Sequence, residues 1–150
     1  MRYRNGRCCA RVLVRMTQHN SRLLLVYNAD GGIINALKDA IHKQISPSTY
    51  PCSLCALTYG AVSMRGEWKR FLDSLRMEIV FHHRDDFAAA FPGHSFQLPA
   101  ILLSENGNPP HVLIPTEELG VMEDAAELID RVGERLEIER GRGAPIKAAA

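Results

Sequence analysis

Leu98-Pro99-Ala100-Ile101-Leu102-Leu103-Ser104-Glu105-Asn106-Gly107-Asn108-Pro109-Pro110-His111-Val112-Leu113-Ile114 reads as two strands joined by a tight turn, and this stretch decides the fold. Leu98–Leu103 is an apolar strand entered through a proline. Asn106-Gly107 favours the left-handed dihedrals that a two-residue hairpin connection needs. The returning strand, His111–Ile114, follows Pro109-Pro110, which carry no amide donors and so confine that end to the edge of a sheet.

Working outward, Arg22-Leu23-Leu24-Leu25-Val26-Tyr27 is an unbroken apolar run closed by Asn28, Asp30 and two glycines. It suits a central strand buried on both faces. After Gly31-Gly32, apolar residues recur at Ile33, Ile34, Leu37, Ala40, Ile41 and Ile45, which predicts a helix over 33–45 stopped before Pro47. Turn-rich Ser46–Pro51 delivers the chain to Cys52-Ser53-Leu54-Cys55, where a short helical segment starts. Trp68, Phe71, Leu72 and Leu75 share one helical stripe, and Met77–Phe81 reads as the next strand. The ~50 residues between these two strands exceed the ~30 of a minimal crossover, so the connection carries an insertion. Asp86–Phe91 forms a short helix with acids at its positive start. Met122, Ala125, Ile129, Val132 and Leu136 mark a last helix, initiated near Thr116 or after Gly120.

The chain has 150 residues and 16.7 kDa, 46% hydrophobic and 23% charged, the balance of one compact domain rather than two large ones. No apolar run approaches the ~18–20 residues of a membrane span. A formal charge of +1 supplies no global basic field for nucleic acid. The charge is unevenly placed. Residues 1–15 carry Arg2, Arg4, Arg7, Arg11 and Arg15 and no acid, leaving 13 basic against 17 acidic residues, a net −4, in the remainder. The expected organisation is a flexible Arg-rich extension over 1–15, with Met16 as an alternative start, a domain over 16–138, and a disordered tail over 139–150. An organelle presequence is the other reading of the Arg-rich start.

These elements, in order, predict an α/β domain with a mixed four-stranded sheet flanked by helices. The Leu98-Pro99-Ala100 strand opening, the Glu105–Asn108 turn, the edge strand and the closing helix resemble the thioredoxin fold, with an inserted helix and a Cys-x-x-Cys loop between the first two strands. By that resemblance Pro99 is a cis-proline beside the active site, where its segment holds a substrate backbone. The match departs at one point: thioredoxins place the cysteine pair directly after the first strand, whereas here residues 33–45 intervene.

Among four cysteines, Cys8 and Cys9 are adjacent, a poor metal clamp and a strained disulfide. Cys52 and Cys55 carry the chemistry. At a helix start the first sulfur faces unpaired amides and the positive dipole end, which stabilises a thiolate. Cys52 is then the attacking thiol and Cys55 the resolving one. The same spacing is half a zinc site, which His83, His82 or His94 can complete. A third reading makes both thiols small buried hydrophobes. The expectation carried forward is a thiol–disulfide oxidoreductase or redox sensor acting on a thiol- or disulfide-bearing protein or small molecule. The alternative is a non-enzymatic metal-binding or interaction module holding zinc.

Tyr27-Asn28-Ala29-Asp30, Tyr50-Pro51-Cys52-Ser53-Leu54-Cys55-Ala56-Leu57-Thr58-Tyr59-Gly60, His83-Arg84-Asp85 and Leu98-Pro99-Ala100 also resemble a family of small uncharacterised bacterial proteins, over most of 22–115. That resemblance implies a bacterial, cytoplasmic setting. Some members carry a GTPase label, but the Gly, Lys and Ser/Thr pattern that cradles phosphates is absent here. Asn28–Gly32 reads as a tight turn with Asp30 capping the following helix. His83-Arg84-Asp85 reads either as a helix cap or as an acid, a base and a cation gathered at the carboxyl end of a strand. Gly60–Gly66 lacks the spacing of a nucleophile elbow.

Overall fold

The computed structural model describes residues 20–31, 52–60 and 63–143. The helix expected over 33–45 and the extension over 1–15 lie outside them. Four strands, β1 (Ser21–Val26), β2 (Glu78–His82), β3 (Ala100–Glu105) and β4 (His111–Ile114), form one mixed sheet in the order β2-β1-β3-β4. β1 runs parallel to β2 and antiparallel to β3, and β3 pairs antiparallel with β4. The unbroken apolar run becomes a central strand, as its composition requires: Leu23, Leu24, Leu25 and Val26 are all buried.

Alternation along β1 divides the interior in two. Leu23, Leu25 and, just beyond the strand, Tyr27 face the larger core with Ile101, Leu103 and Ile114. Four helices supply its cover: α1 (Ser53–Thr58), α2 (Gly66–Ser74), α4 (Thr116–Val121) and α5 (Ala125–Gly143), through Leu54, Trp68, Leu119, Leu128 and Val132 among others. Leu24 and Val26 face the smaller core with Ala100, Leu102 and Phe87 of α3 (Arg84–Ala90). The hairpin forms as expected, with Asn106 at φ 54° and Gly107 at φ 77°. The register shifts between Ile101 and Leu102, which pair with Ile114 and Val112, so Leu113 is the extra residue of a bulge. The bulge lets Leu113 and Ile114 both reach the larger core.

Two boundaries differ from expectation for local reasons. The last helix is two helices, because Met122 leaves the helical region at ψ 140° and Asp124 starts anew, its carboxylate accepting from Glu127 N–H at 2.9 Å. α5 then continues to Gly143, past the domain boundary expected at 138, through the pairs Arg140–Glu137 and Arg142–Glu139. Its basic last turn also suits the negative end of the helix dipole. α3 begins at Arg84 rather than Asp86, since His83 N–H donates to Asp86 Oδ1 at 2.8 Å and closes the turn one step earlier. Among the described residues no helix is long and apolar enough to cross a membrane.

Candidate functional site

Cys52 is the N-cap of α1. Its backbone is extended (φ −124°, ψ 107°), its carbonyl accepts the first helical bond from Ala56 N–H at 3.1 Å, and its Sγ accepts from Cys55 N–H at 3.4 Å. The sulfur thus fills the place that a serine or aspartate oxygen takes at other helix starts.

Both cysteines are reduced and buried, Cys52 at 1% exposure and Cys55 at 9%. Burial opposes ionisation of a thiol, whereas hydrogen bonds to the sulfur favour the thiolate. At Cys52 the hydrogen bonds win: the Cys55 thiol first, then the backbone amides, bring its pKa from 9.0 down to about 7 despite burial. Cys55 moves the opposite way, because it donates to the Cys52 sulfur and is itself buried. Of the two thiols, Cys52 is the one that ionises first.

The far end of α1 is polar in a way the sequence does not announce. Thr58 is fully buried, donates to Leu54 O at 2.7 Å, and lies 3.2 Å from the buried Tyr27 hydroxyl. Tyr59 packs edge-on against Tyr27 with ring centroids 6.0 Å apart. Burial raises the pKa of both tyrosines. Tyr27 was legible only as the end of an apolar strand; the signal available was its hydroxyl, which needs a partner once buried. Arg65 closes the helix from the next segment, donating its N–H to Thr58 O at 2.8 Å.

The Leu98–Pro99 bond is cis and Pro99 is buried. Val26 pairs with Ala100, so one further step of the antiparallel register sets Pro99 level with Tyr27. The histidines considered as zinc ligands are held elsewhere. His83 Nδ1 lies 3.3 Å from Asp86 Oδ2 and His82 Nδ1 lies 3.0 Å from Asp86 Oδ1. Among the described residues His83 groups with Asp85 and Asp86, ligand atoms within 4.8 Å, and not with the cysteines. The set Cys52, Cys55 and His83 is therefore not assembled: the capping turn of α3 draws the imidazole towards Asp86. His94 packs against Phe87 of the smaller core, ring centroids 4.7 Å apart and tilted by 58°.

His83-Arg84-Asp85 and Asn28–Gly31, read separately in the sequence, meet in space. Arg84 grips Asp30 with a fork of two bonds, Nε to Oδ1 at 3.0 Å and Nη2 to Oδ2 at 2.7 Å. Gly31 N–H donates to Asp85 Oδ1 at 3.3 Å, which lowers the pKa of Asp85.

The divided thiol acidity has a consequence for stability. Cys52 binds its proton less tightly folded than unfolded, so its stabilising contribution is lost as pH falls through about 7 and is complete above the ordinary 9.0. Cys55, whose pKa is raised on folding, costs stability once pH passes 9.0 and the unfolded chain ionises. Under reducing conditions the urea midpoint is expected to climb between about pH 7 and 9 and decline above it. Cys52→Ser should flatten the climb. Comparison with known protein families, with curated proteins and with solved structures finds no match to this chain.

Proposed function

We propose that this is a thioredoxin-like redox protein in which Cys52 and Cys55 form a thiol–disulfide couple. The observation that carries the reading is the Cys52 sulfur at a helix N-cap, accepting the Cys55 amide at 3.4 Å with the Cys55 thiol beside it. The sheet order β2-β1-β3-β4 and a cis proline at the entry to β3 support the thioredoxin-like outline.

The Cys52 thiolate attacks one sulfur of a disulfide R–S–S–R′, forming a Cys52–S–S–R bond and releasing R′S⁻. Cys55 gives its proton to the departing thiolate and attacks the Cys52 sulfur, forming the Cys52–Cys55 bond and releasing RS⁻, which takes a proton from solvent. The pair loses two electrons and the external disulfide gains them. With Cys52 at 1% exposure, attack requires a local opening of the α1 end. A small disulfide needs less opening than a folded protein, so exchange with a low-molecular-weight disulfide, and through it the sensing of redox poise, is the reading favoured.

The test is an equilibrium titration in glutathione redox buffers, with alkylation of free thiols and mass analysis at each poise. A single two-electron transition confined to Cys52 and Cys55 is expected. Thiols that stay reduced across the whole range, or stoichiometric zinc released on thiol modification, would remove the redox reading.

A further inference from the structure

Cys52 caps α1 and Cys55 lies within it, and α1 is only six residues long, far below the ~12–15 that a helix needs to hold by itself in water. Its place is therefore kept by contacts with the rest of the chain. Leu54, Cys55 and Leu57 supply apolar ones in the larger core. Thr58, the last residue of α1, supplies a directional one. Tyrosine and cysteine aside, it alone among the described residues is both polar and buried.

The bonds around Thr58 have a definite direction. Its hydroxyl owns one proton, which goes to Leu54 O at 2.7 Å. At the 3.2 Å contact with Tyr27 the threonine oxygen then accepts, so the Tyr27 hydroxyl is the donor. Tyr27 follows directly on the buried central strand, and its N–H donates to His82 O at 2.9 Å, which ties it to β2 as well. A donor fixed to the sheet thus holds the far end of α1. From that end the backbone bonds run back to the cysteines: Tyr59 N–H donates to Cys55 O at 3.0 Å and Ala56 N–H to Cys52 O at 3.1 Å. In so short a helix these bonds form and break together.

We propose that the Tyr27–Thr58 hydrogen bond is a latch: it sets how often α1 opens, and so how often the Cys52 sulfur is uncovered for an incoming disulfide. The inference rests on the thiol–disulfide reading for its purpose, while the latch itself is defined by the contacts above. Cys52 is 1% exposed, and opening α1 as a unit parts Thr58 from Tyr27, so the bond counts against each opening. Its two halves are unequal. Without the Tyr27 hydroxyl, Thr58 still donates to Leu54 O, and one bond is lost. Without the Thr58 hydroxyl, the buried Tyr27 hydroxyl is left without that acceptor, which costs more than the bond contributes. Without both, apolar groups meet and little is lost.

The experiment measures the rate of Cys52 alkylation in the reduced native protein, resolved by peptide mass analysis, under conditions where reclosing outruns modification and the rate follows the open fraction. Tyr27→Phe, which keeps the ring against Tyr59, is expected to speed alkylation roughly fivefold. Thr58→Val is expected to speed it roughly thirtyfold, and the double variant to fall back to within about threefold of the parent. Valine and threonine have similar helix propensity, so the change reports the hydroxyl. Phe87→Leu is the control: it weakens the smaller core without touching α1 and should leave the rate at the parent's. A double variant faster than either single one, or a rate that rises in Phe87→Leu as much as in Tyr27→Phe, would overturn the latch. If Thr58→Val fails to fold, Tyr27→Phe decides alone, and an unchanged rate in it overturns the latch. The two readings fail separately. A glutathione titration that yields no Cys52–Cys55 disulfide removes the redox couple whatever the alkylation rates, whereas a couple that forms while Tyr27→Phe leaves the rate unmoved removes the latch alone.

Discussion

Cys52→Ser is expected to abolish disulfide formation at the Cys52–Cys55 pair with added glutathione disulfide, while Cys55→Ser is expected to stop the reaction at the mixed disulfide on Cys52. The difference follows from which sulfur bears the thiolate. Hydrogen bonding at the helix start, where the Cys55 amide donates to the Cys52 sulfur at 3.4 Å, lowers the pKa of Cys52, whereas the neighbouring Cys52 sulfur and burial raise that of Cys55. Serine at 52 keeps the N-cap oxygen for the Cys55 amide, so α1 should survive and the loss should be chemical rather than structural. Intact-mass analysis after exposure to glutathione disulfide reads both outcomes. A glutathione adduct on the Cys52→Ser protein, carried by Cys55, would reverse the assignment of attacker and resolver.

Phe87→Ala should produce the largest loss of stability, about 3–5 kcal/mol in urea unfolding. Phe87 is the buried residue of α3 and has no exposed surface. Its ring touches the whole of the smaller core's aromatic shell, with centroids 5.4 Å from His82, 4.9 Å from Phe91, 4.7 Å from His94 and 6.2 Å from Phe96. Short α3 cannot slide inward to fill the cavity without breaking the Arg84 and Asp85 contacts at its start. The variant should therefore loosen the contacts of Arg84 with Asp30 and of Asp85 with Gly31 as well as the global fold. Val121→Ala, on a side chain 77% exposed, should change stability by less than about 0.5 kcal/mol. A loss at Phe87 no larger than that would show the smaller core to be dispensable.

The elements legible from the chain were those specified by neighbours a few residues apart. Leu23–Val26 has no polar position to turn towards water, which forces burial on both faces and hence a central place. Asn106-Gly107 supplies two residues that tolerate positive φ, and the hairpin forms there. Trp68, Phe71, Leu72 and Leu75 repeat at the helical interval, and all four pack on the larger core from α2 or its end. The second helix start at Asp124 was not legible, because a cap inside an amphipathic stretch leaves the apolar interval almost intact, so two helices read as one.

For the site, the spacing Cys52-x-x-Cys55 was enough to bring the sulfurs together, because a single helical turn closes that distance without help from the rest of the chain. How deeply the thiols are sealed was not contained in the spacing. That depends on the larger core both cysteines join, to which Tyr27, Leu57, Leu119 and Leu128 come from four separate segments.

What the amino-acid order determined by itself is thus the local part: a buried central strand, a tight hairpin, amphipathic helices, and a cysteine at a helix start. Only the packed chain decided that His83 serves Asp86 rather than a metal with the cysteines, and that Asp30 answers Arg84. The physical reason is range. Dihedral preference and apolar periodicity act over a few residues, whereas a hydrogen bond between groups 54 residues apart forms only once the strands and helices carrying them have been laid side by side.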